Sequence, residues 1–220
     1  MLKGVDISHH NKNMKDLRDL LNYDFVIMKA SEGKGYKDTF IDNYMDILKD
    51  PIYTHSPLIG FYHYARPELN TPEDEAANFL YVINRYTREY KCMVALDVEG
   101  MALTISDLDD WCLKWCKLIF DYLGYKPLIY CSAAETKRFK KCTKWGVGLW
   151  IAKWGNKPTK SDIKPWDIWA IWQYTNNDIC SAVRVDGDYF NGTRQQFLKY
   201  CEVVTDEETE NNSATDSAAA

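Results

Sequence analysis

The chain has 220 residues, 46% of them hydrophobic, which is enough for one sizeable core. A net charge of −5 argues against nucleic acid and against anionic membrane surfaces as partners, and no apolar run reaches the length of a membrane span. Cysteines at positions 92, 112, 116, 131, 142, 180 and 201 are odd in number and lack zinc-ligand spacing, so reduced thiols packed in the core are expected rather than a disulfide framework.

The opening Met1-Leu-Lys-Gly-Val-Asp6 carries charge where a signal peptide would be apolar. The expectation is a chain made in the cytoplasm, or secreted if a signal has been removed. Lys3–Ile7 reads as a first strand. Met14 to Asn22 has helical spacing at Met14, Leu17, Leu20 and Leu21. Phe25–Ala30 is a continuously apolar second strand, Phe40 to Leu48 a helix, and Leu58–Tyr64 a third strand. Thr71-Pro-Glu-Asp74 is a helix start, with Thr71 as cap and Pro72 at the first helical position. A fourth strand begins at Cys92. Ser106-Asp-Leu-Asp109 resembles a capping box for a helix that Gly124 ends. Strands follow at Pro127–Cys131, Gly148–Ala152, Ile168–Tyr174 and Ala182–Asp186, with a short helix near 133–142 and a last one near 193–202. From Val203 to Ala220 the composition is acidic and polar without periodicity, so residues 1–202 read as one domain and 203–220 as a disordered acidic tail or a truncated linker.

Strands alternating with helices imply a largely parallel sheet, and eight strands permit closure into a barrel. The expected fold is α/β, a modified TIM-like (β/α) barrel with an irregular last quarter. Such barrels carry their chemistry at the carboxyl ends of the strands, where Asp6, Asp97, Glu99 and Asp186 fall. Closure places Asp6 near Asp186. In Cys92–Gly100 the alternation of a strand points Asp97 and Glu99 the same way, with α-carbons about 6.7 Å apart. Two such carboxyls suit glycoside cleavage, where one donates a proton and the other stabilises the cationic sugar. Mutual repulsion should leave one protonated. Glu, with the higher intrinsic pKa, should keep the proton and Asp97 should ionise.

The chain resembles the family 25 glycoside hydrolases, lysozymes of the muramidase type, over nearly its whole length to about residue 200. The resemblance rests on Gly4-Val-Asp-Ile-Ser8, Phe25 to Gly33, Gly60-Phe-Tyr-His-Tyr64, Ala95-Leu-Asp-Val-Glu99, Leu149-Trp-Ile-Ala152, Trp172-Gln-Tyr174 and Val185 to Phe190, seven motifs in the family's order. It implies hydrolysis of the β-1,4 bond between N-acetylmuramic acid and N-acetylglucosamine of bacterial peptidoglycan, with no metal or cofactor. Glu99 would be the general acid/base and Asp97 the stabiliser of the intermediate. Asp6 and Asp186 would line the same groove. Asp188 stands where the family usually has Asn, which adds a negative charge near Asp186 and could reshape the outer site. The absent signal and reduced thiols resemble a phage endolysin or an autolysin lacking its export signal, acting on the wall after release, and a monomer is expected. The alternative is a catalytically idle glycan-binding protein on the same barrel.

Tyr62 and Tyr64 share one face of the third strand and would serve either the site or the core. Trp150 lies on a barrel strand, and Trp154 beyond it could stack on a sugar or pack under a loop. Gln173, the lone polar residue of an apolar strand, should point inward and hydrogen-bond. Lys29 could neutralise an acid or lie on the surface. His9, His10 and His63 near Asp6 raise a metal site, but adjacent histidines do not share a face and none is expected.

Overall fold

In the computed structural model, which describes residues 1–53 and 56–203, one sheet holds β1 (Leu2–Ile7), β2 (Phe25–Glu32), the short β3 (Tyr36–Lys37), β4 (Leu58–Tyr64), β5 (Cys92–Asp97), β6 (Leu128–Ser132), β7 (Gly148–Ala152), β8 (Ile171–Cys180) and β9 (Val183–Phe190). Its order is β1-β9-β8-β7-β6-β5-β4-β2-β3, and β1 also pairs with β2, so eight strands close into a barrel with β3 appended to β2. The pairings from β1–β2 round to β7–β8 are parallel. β9 runs antiparallel to both β8 and β1. Parallel neighbours need crossovers, and α1 (Ile41–Leu48), α2 (Pro72–Thr87), α3 (Leu108–Leu123) and α4 (Lys140–Trp145) lie in four of them. The β7–β8 crossover contains no helix, and α5 (Arg194–Lys199) follows β9. The modified barrel with an irregular last quarter is what the sequence led us to expect. The predicted tail, residue 203 apart, lies outside the described residues.

Alternation along the strands makes two cores. Val26, Met28, Phe61, Val94, Leu96, Ile129 and Leu149 face outward and pack with Phe79, Ile83, Trp115 and Ile119 of the helices. Phe25, Leu58, Met93, Leu128, Ile171 and Phe190 face inward, and Phe197 of α5 joins them at the barrel's amino-terminal end. Fully burying such side chains contributes roughly 1.5–3 kcal/mol each. The β1 backbone passes close over this floor. A β-carbon at Gly4 would lie 2.5 Å from the Phe25 ring, so only glycine fits there. The same inward rows run up each strand and end in Asp6, Tyr62, Asp97, Tyr130 and Gln173. The carboxyl-terminal end of the barrel is therefore polar.

Three local expectations change. The helix expected from Met14 is a 3₁₀ segment, Leu17–Asn22, capped by Asp16. The capping box at Ser106 does not form, because Asp107 is the cap residue of α3 and its side chain makes no capping bond. Asp109 instead accepts from the backbone N–H groups of Lys141 (2.7 Å) and Cys142 (3.1 Å). These open α4, which has no side-chain cap of its own, so its free amides draw the carboxylate across. Finally, the strands expected at 168–174 and 182–186 are a long hairpin, 171–180 and 183–190, turning through Ser181 and Ala182 at φ 48° and 64°. Beyond the barrel rim the two arms pair with each other, so polar residues such as Thr175 and Asp178 extend a ladder that hydrophobic periodicity does not reveal. The expected caps at Thr71 and Gly124 are present.

Candidate active site

A cavity of about 290 Å³ opens at the carboxyl-terminal end of the barrel. Of the residues expected at the site, Asp6, Tyr62, Asp97, Glu99, Trp150, Trp154, Gln173 and Asp186 line it, together with Tyr130 and Asn176. Tyr64 is not among them. It is half-buried beside the cavity, with its ring 4.7 Å from the Lys29 ammonium and its hydroxyl packed under Gly100. Asp186 reaches the cavity for a reason other than the one expected. It does not end a strand; it lies in the first half of β9, which runs antiparallel and so starts at this end, where Asp186 pairs with Asp6.

Gln173 organises the floor. Its Nε2 donates to Asp6 Oδ2 (2.8 Å) and to Asp186 Oδ2 (3.2 Å). Its Oε1 accepts from the Tyr130 hydroxyl (3.0 Å) and from Trp154 Nε1 (3.2 Å). Four bonds fix the orientation of one buried amide, as its isolation in an apolar strand suggested. Trp154 is otherwise 59% exposed, so its ring is free at the mouth. Tyr130 and Asn176 were not singled out in the sequence. Tyr130 had a signal, since it sits beside Asp97 in register and shares the inward row. Asn176 had none, because the hairpin arm that carries it was not foreseen.

Asp97 ends β5 and is 7% exposed, with Oδ1 buried and lacking a protein partner. Glu99 lies two residues on in extended conformation (φ −148°, ψ −175°) and is exposed. Burial, then the charge of Glu99, pushes the Asp97 carboxyl well above the usual carboxylate range, against the opposing pull of Lys29. Burial also raises Glu99, again opposed by Lys29. In the empty cleft the proton is therefore favoured on Asp97, with Glu99 also drawn upward from its usual range. The ordering expected from intrinsic acidity alone is reversed for Asp97 because the shorter side chain is the deeper one. Asp186 is pushed up to about 6 by burial and by Glu99. Asp188 is not at an outer site. It is fully buried, accepts from Trp150 Nε1 (2.8 Å), and is raised to about 8 by burial, so it adds no charge at neutral pH.

A second charged cluster lies beside the cavity. Lys29 is buried and bonds Glu32 (2.7 Å), which also receives Arg66 (2.9 Å). Arg66 reaches Glu68 (2.6 Å). Glu75, fully buried, accepts from His63 Nε2 (2.8 Å), from Asn70 Nδ2 (2.8 Å) and from the Arg66 backbone N–H. His63 thus lies in the outer layer, stacked on Trp115, while His9 bonds Asp38 (2.8 Å), so the histidines do not converge on Asp6.

No curated protein matches the sequence. Solved structures that resemble this one include a family GH25 lysozyme from Aspergillus fumigatus, with TM-score 0.75 and 24% identity over 91% of this chain and 99% of that one. A lysozyme from Streptomyces coelicolor gives TM-score 0.74 and 23% identity over 91% and 96% of the two chains. The CTP1L endolysin gives 0.71 and 25% over 90% and 70%. The sequence model of the glycosyl hydrolases family 25 matches residues 5–183, from β1 to the start of β9. That match spans most of the barrel whose open end gathers these acids, and the chain belongs to glycosyl hydrolases family 25.

Proposed function

We propose that the chain is a lysozyme, an N-acetylmuramidase that hydrolyses the β-1,4 bond between N-acetylmuramic acid and N-acetylglucosamine in bacterial peptidoglycan. The observation that carries this reading is the pair of carboxyls, deep Asp97 and accessible Glu99, in one cavity at the open end of the barrel. Family membership and the lysozymes of like fold support the same substrate.

In this reading Glu99 is the acid and donates its proton to the glycosidic oxygen as the bond from the anomeric carbon breaks. The carbonyl oxygen of the sugar's own 2-acetamido group bonds to that carbon from the opposite face. Its N–H donates to Asp97, which favours the carboxylate form, so binding of substrate drives Asp97 to release the proton it holds when the cleft is empty. Glu99, now a carboxylate, takes a proton from water as the hydroxide adds to the anomeric carbon and the acetamido group returns to its first form. The configuration is retained. Trp154 offers a ring for stacking, and Asp6, Asp186 and Gln173 offer acceptors and fixed dipoles for sugar hydroxyls.

The test is digestion of purified cell walls by native chain and by Glu99→Gln. Native chain should clear the suspension and give products with β configuration at first by proton NMR, cleaved at the muramic acid by mass spectrometry. Equal clearing by the variant would move the activity away from this cavity and leave a glycan-binding role for it. An initial α product would recast Asp97 as a base for water.

A further inference from the structure

We infer that Asp188 is a positioning residue that shares a proton with Asp6, so that two acids in contact beneath the cleft are not both ionised at neutral pH and hold Asp6 and Trp150 in place. Asp188 is 0% exposed and points inward from β9, two residues from Asp186 and paired in register with Gly4 and Gln173. Its Oδ1 accepts from Trp150 Nε1 (2.8 Å). Its Oδ2 is buried with no donor from any other residue, yet its carboxyl lies within hydrogen-bonding reach of that of Asp6. If both acids were ionised, two carboxylates would touch and Oδ2 would be orphaned. One proton between them turns the same contact into a hydrogen bond.

The surroundings hold that proton in place. The pair is faced by Asp186 of β9, Gln173 of β8, Trp150 of β7, Tyr130 of β6, Asp97 of β5 and Tyr62 of β4. The inward cation of β2, Lys29, is bound to Glu32. Negative neighbours and burial both favour the neutral form, and Asp188 is raised to about 8. The arrangement bears on the cleft through two contacts. Asp6 meets Gln173, and the Trp150 indole packs on the rings of Tyr130 (4.8 Å between centroids) and Tyr62 (6.2 Å). Losing the shared proton would set two charges against each other beneath three cavity walls.

The activity arm of the test rests on the muramidase reading; the spectroscopic arm does not. In the full chain labelled with carboxyl carbon-13, the Asp6 and Asp188 resonances should titrate in linked steps, and the Trp150 indole N–H resonance should follow the step near pH 8. In Asp188→Asn that step should vanish, because the amide donates to Asp6 and accepts from Trp150 at every pH. Asp188→Asn should also restore most of the wall clearing that Asp188→Ala loses, which we expect to be at least about tenfold. A Trp150 resonance that does not move through the neutral and mildly alkaline range in the native chain would overturn the inference. So would Asn and Ala variants that are equally impaired while native chain clears walls. If Asp188→Ala does not fold, the titrations of native chain and Asp188→Asn decide alone.

Discussion

Two groups of acids lie side by side at one end of this barrel and are treated in opposite ways. Glu32, Glu68 and Glu75 each meet a donor from Lys29, Arg66, His63 or Asn70. Among the described residues Asp6, Asp97, Glu99, Asp186 and Asp188 meet no ammonium or guanidinium in an ion pair, and Asp97 and Asp188, like Glu68, keep a buried oxygen without a partner. The first group fixes the ends of β2 and β4 to α2. In the second, burial and mutual repulsion disfavour charge and shift the carboxyls upward, so that buried Asp97 and Asp188 hold their protons to higher pH than a free carboxyl does.

The largest effect should come from removing the proposed proton donor. Glu99→Gln should lower wall clearing by roughly 10²–10⁴-fold, with a Tm no lower than native, because no partner loses an ion pair. Asp97→Asn should behave similarly, with turnover falling far more than substrate affinity. A marked loss of stability in either would show that these acids hold the fold after all, and the contrast would fail.

Breaking the compensated group should do the reverse. Glu75→Ala strips His63, Asn70 and the Arg66 amide of their acceptor, and a buried donor left unsatisfied costs about 1–3 kcal/mol, to be read from urea unfolding. The activity per folded molecule should change much less than in Glu99→Gln. His63, which burial keeps below its ordinary pKa despite Glu75, is neutral here, so this cost is one of lost hydrogen bonds more than of lost charge attraction.

The two groups should also respond to pH with opposite sign. Asp186, raised to about 6, and Asp188, raised to about 8, bind protons in the folded chain that the unfolded chain has released, so their contribution declines as pH climbs through those values. Burial pulls Glu32 upward, but Lys29 and Arg66 outweigh it and hold the carboxyl below its usual range. Its contribution is therefore present at neutral pH and lost on acidification. Relative to native chain, Asp186→Asn should gain Tm as pH rises, and Glu32→Gln should lose Tm at neutral pH but little in acid. Slopes of the same sign would merge the two groups.

The smallest effect is at the mouth. Trp154→Ala should leave Tm unchanged and weaken wall binding by about 0.5–1.5 kcal/mol, the worth of a stacked ring, seen as a rise in KM with kcat nearly kept.

What the sequence revealed was local or periodic. β4 matches its predicted limits because an apolar run lies between two breaks, and Thr71-Pro72 carries its own capping chemistry. The pair Asp97 and Glu99 is legible because alternation needs no knowledge of the rest of the chain. Gln173 was legible because a single amide among apolar neighbours must find partners. The partners of Lys29 and Asp109, and the depth of Asp188, were not legible. Each depends on which strand or helix lies alongside, and no periodicity within one segment encodes that. The hairpin arms of β8 and β9 were missed for the same reason, since their polar residues are held by each other and not by a core. Asp97 shows the limit most clearly: its position was foreseen, and its proton was not, because depth is a property of the whole barrel.

The seven cysteines are all buried, and burial raises each thiol above its ordinary pKa. Alkylating reagents attack thiolates, so the folded chain should be nearly inert to them and label only as segments open. The thiols are spread over the molecule: Cys180 at the hairpin turn, Cys201 after α5, Cys142 in α4, Cys112 and Cys116 in α3, and Cys92 and Cys131 in barrel strands. They form a set of clocks wired to different parts of one machine. Timed labelling read by mass would list the order in which the barrel comes apart, without adding a single probe to the chain.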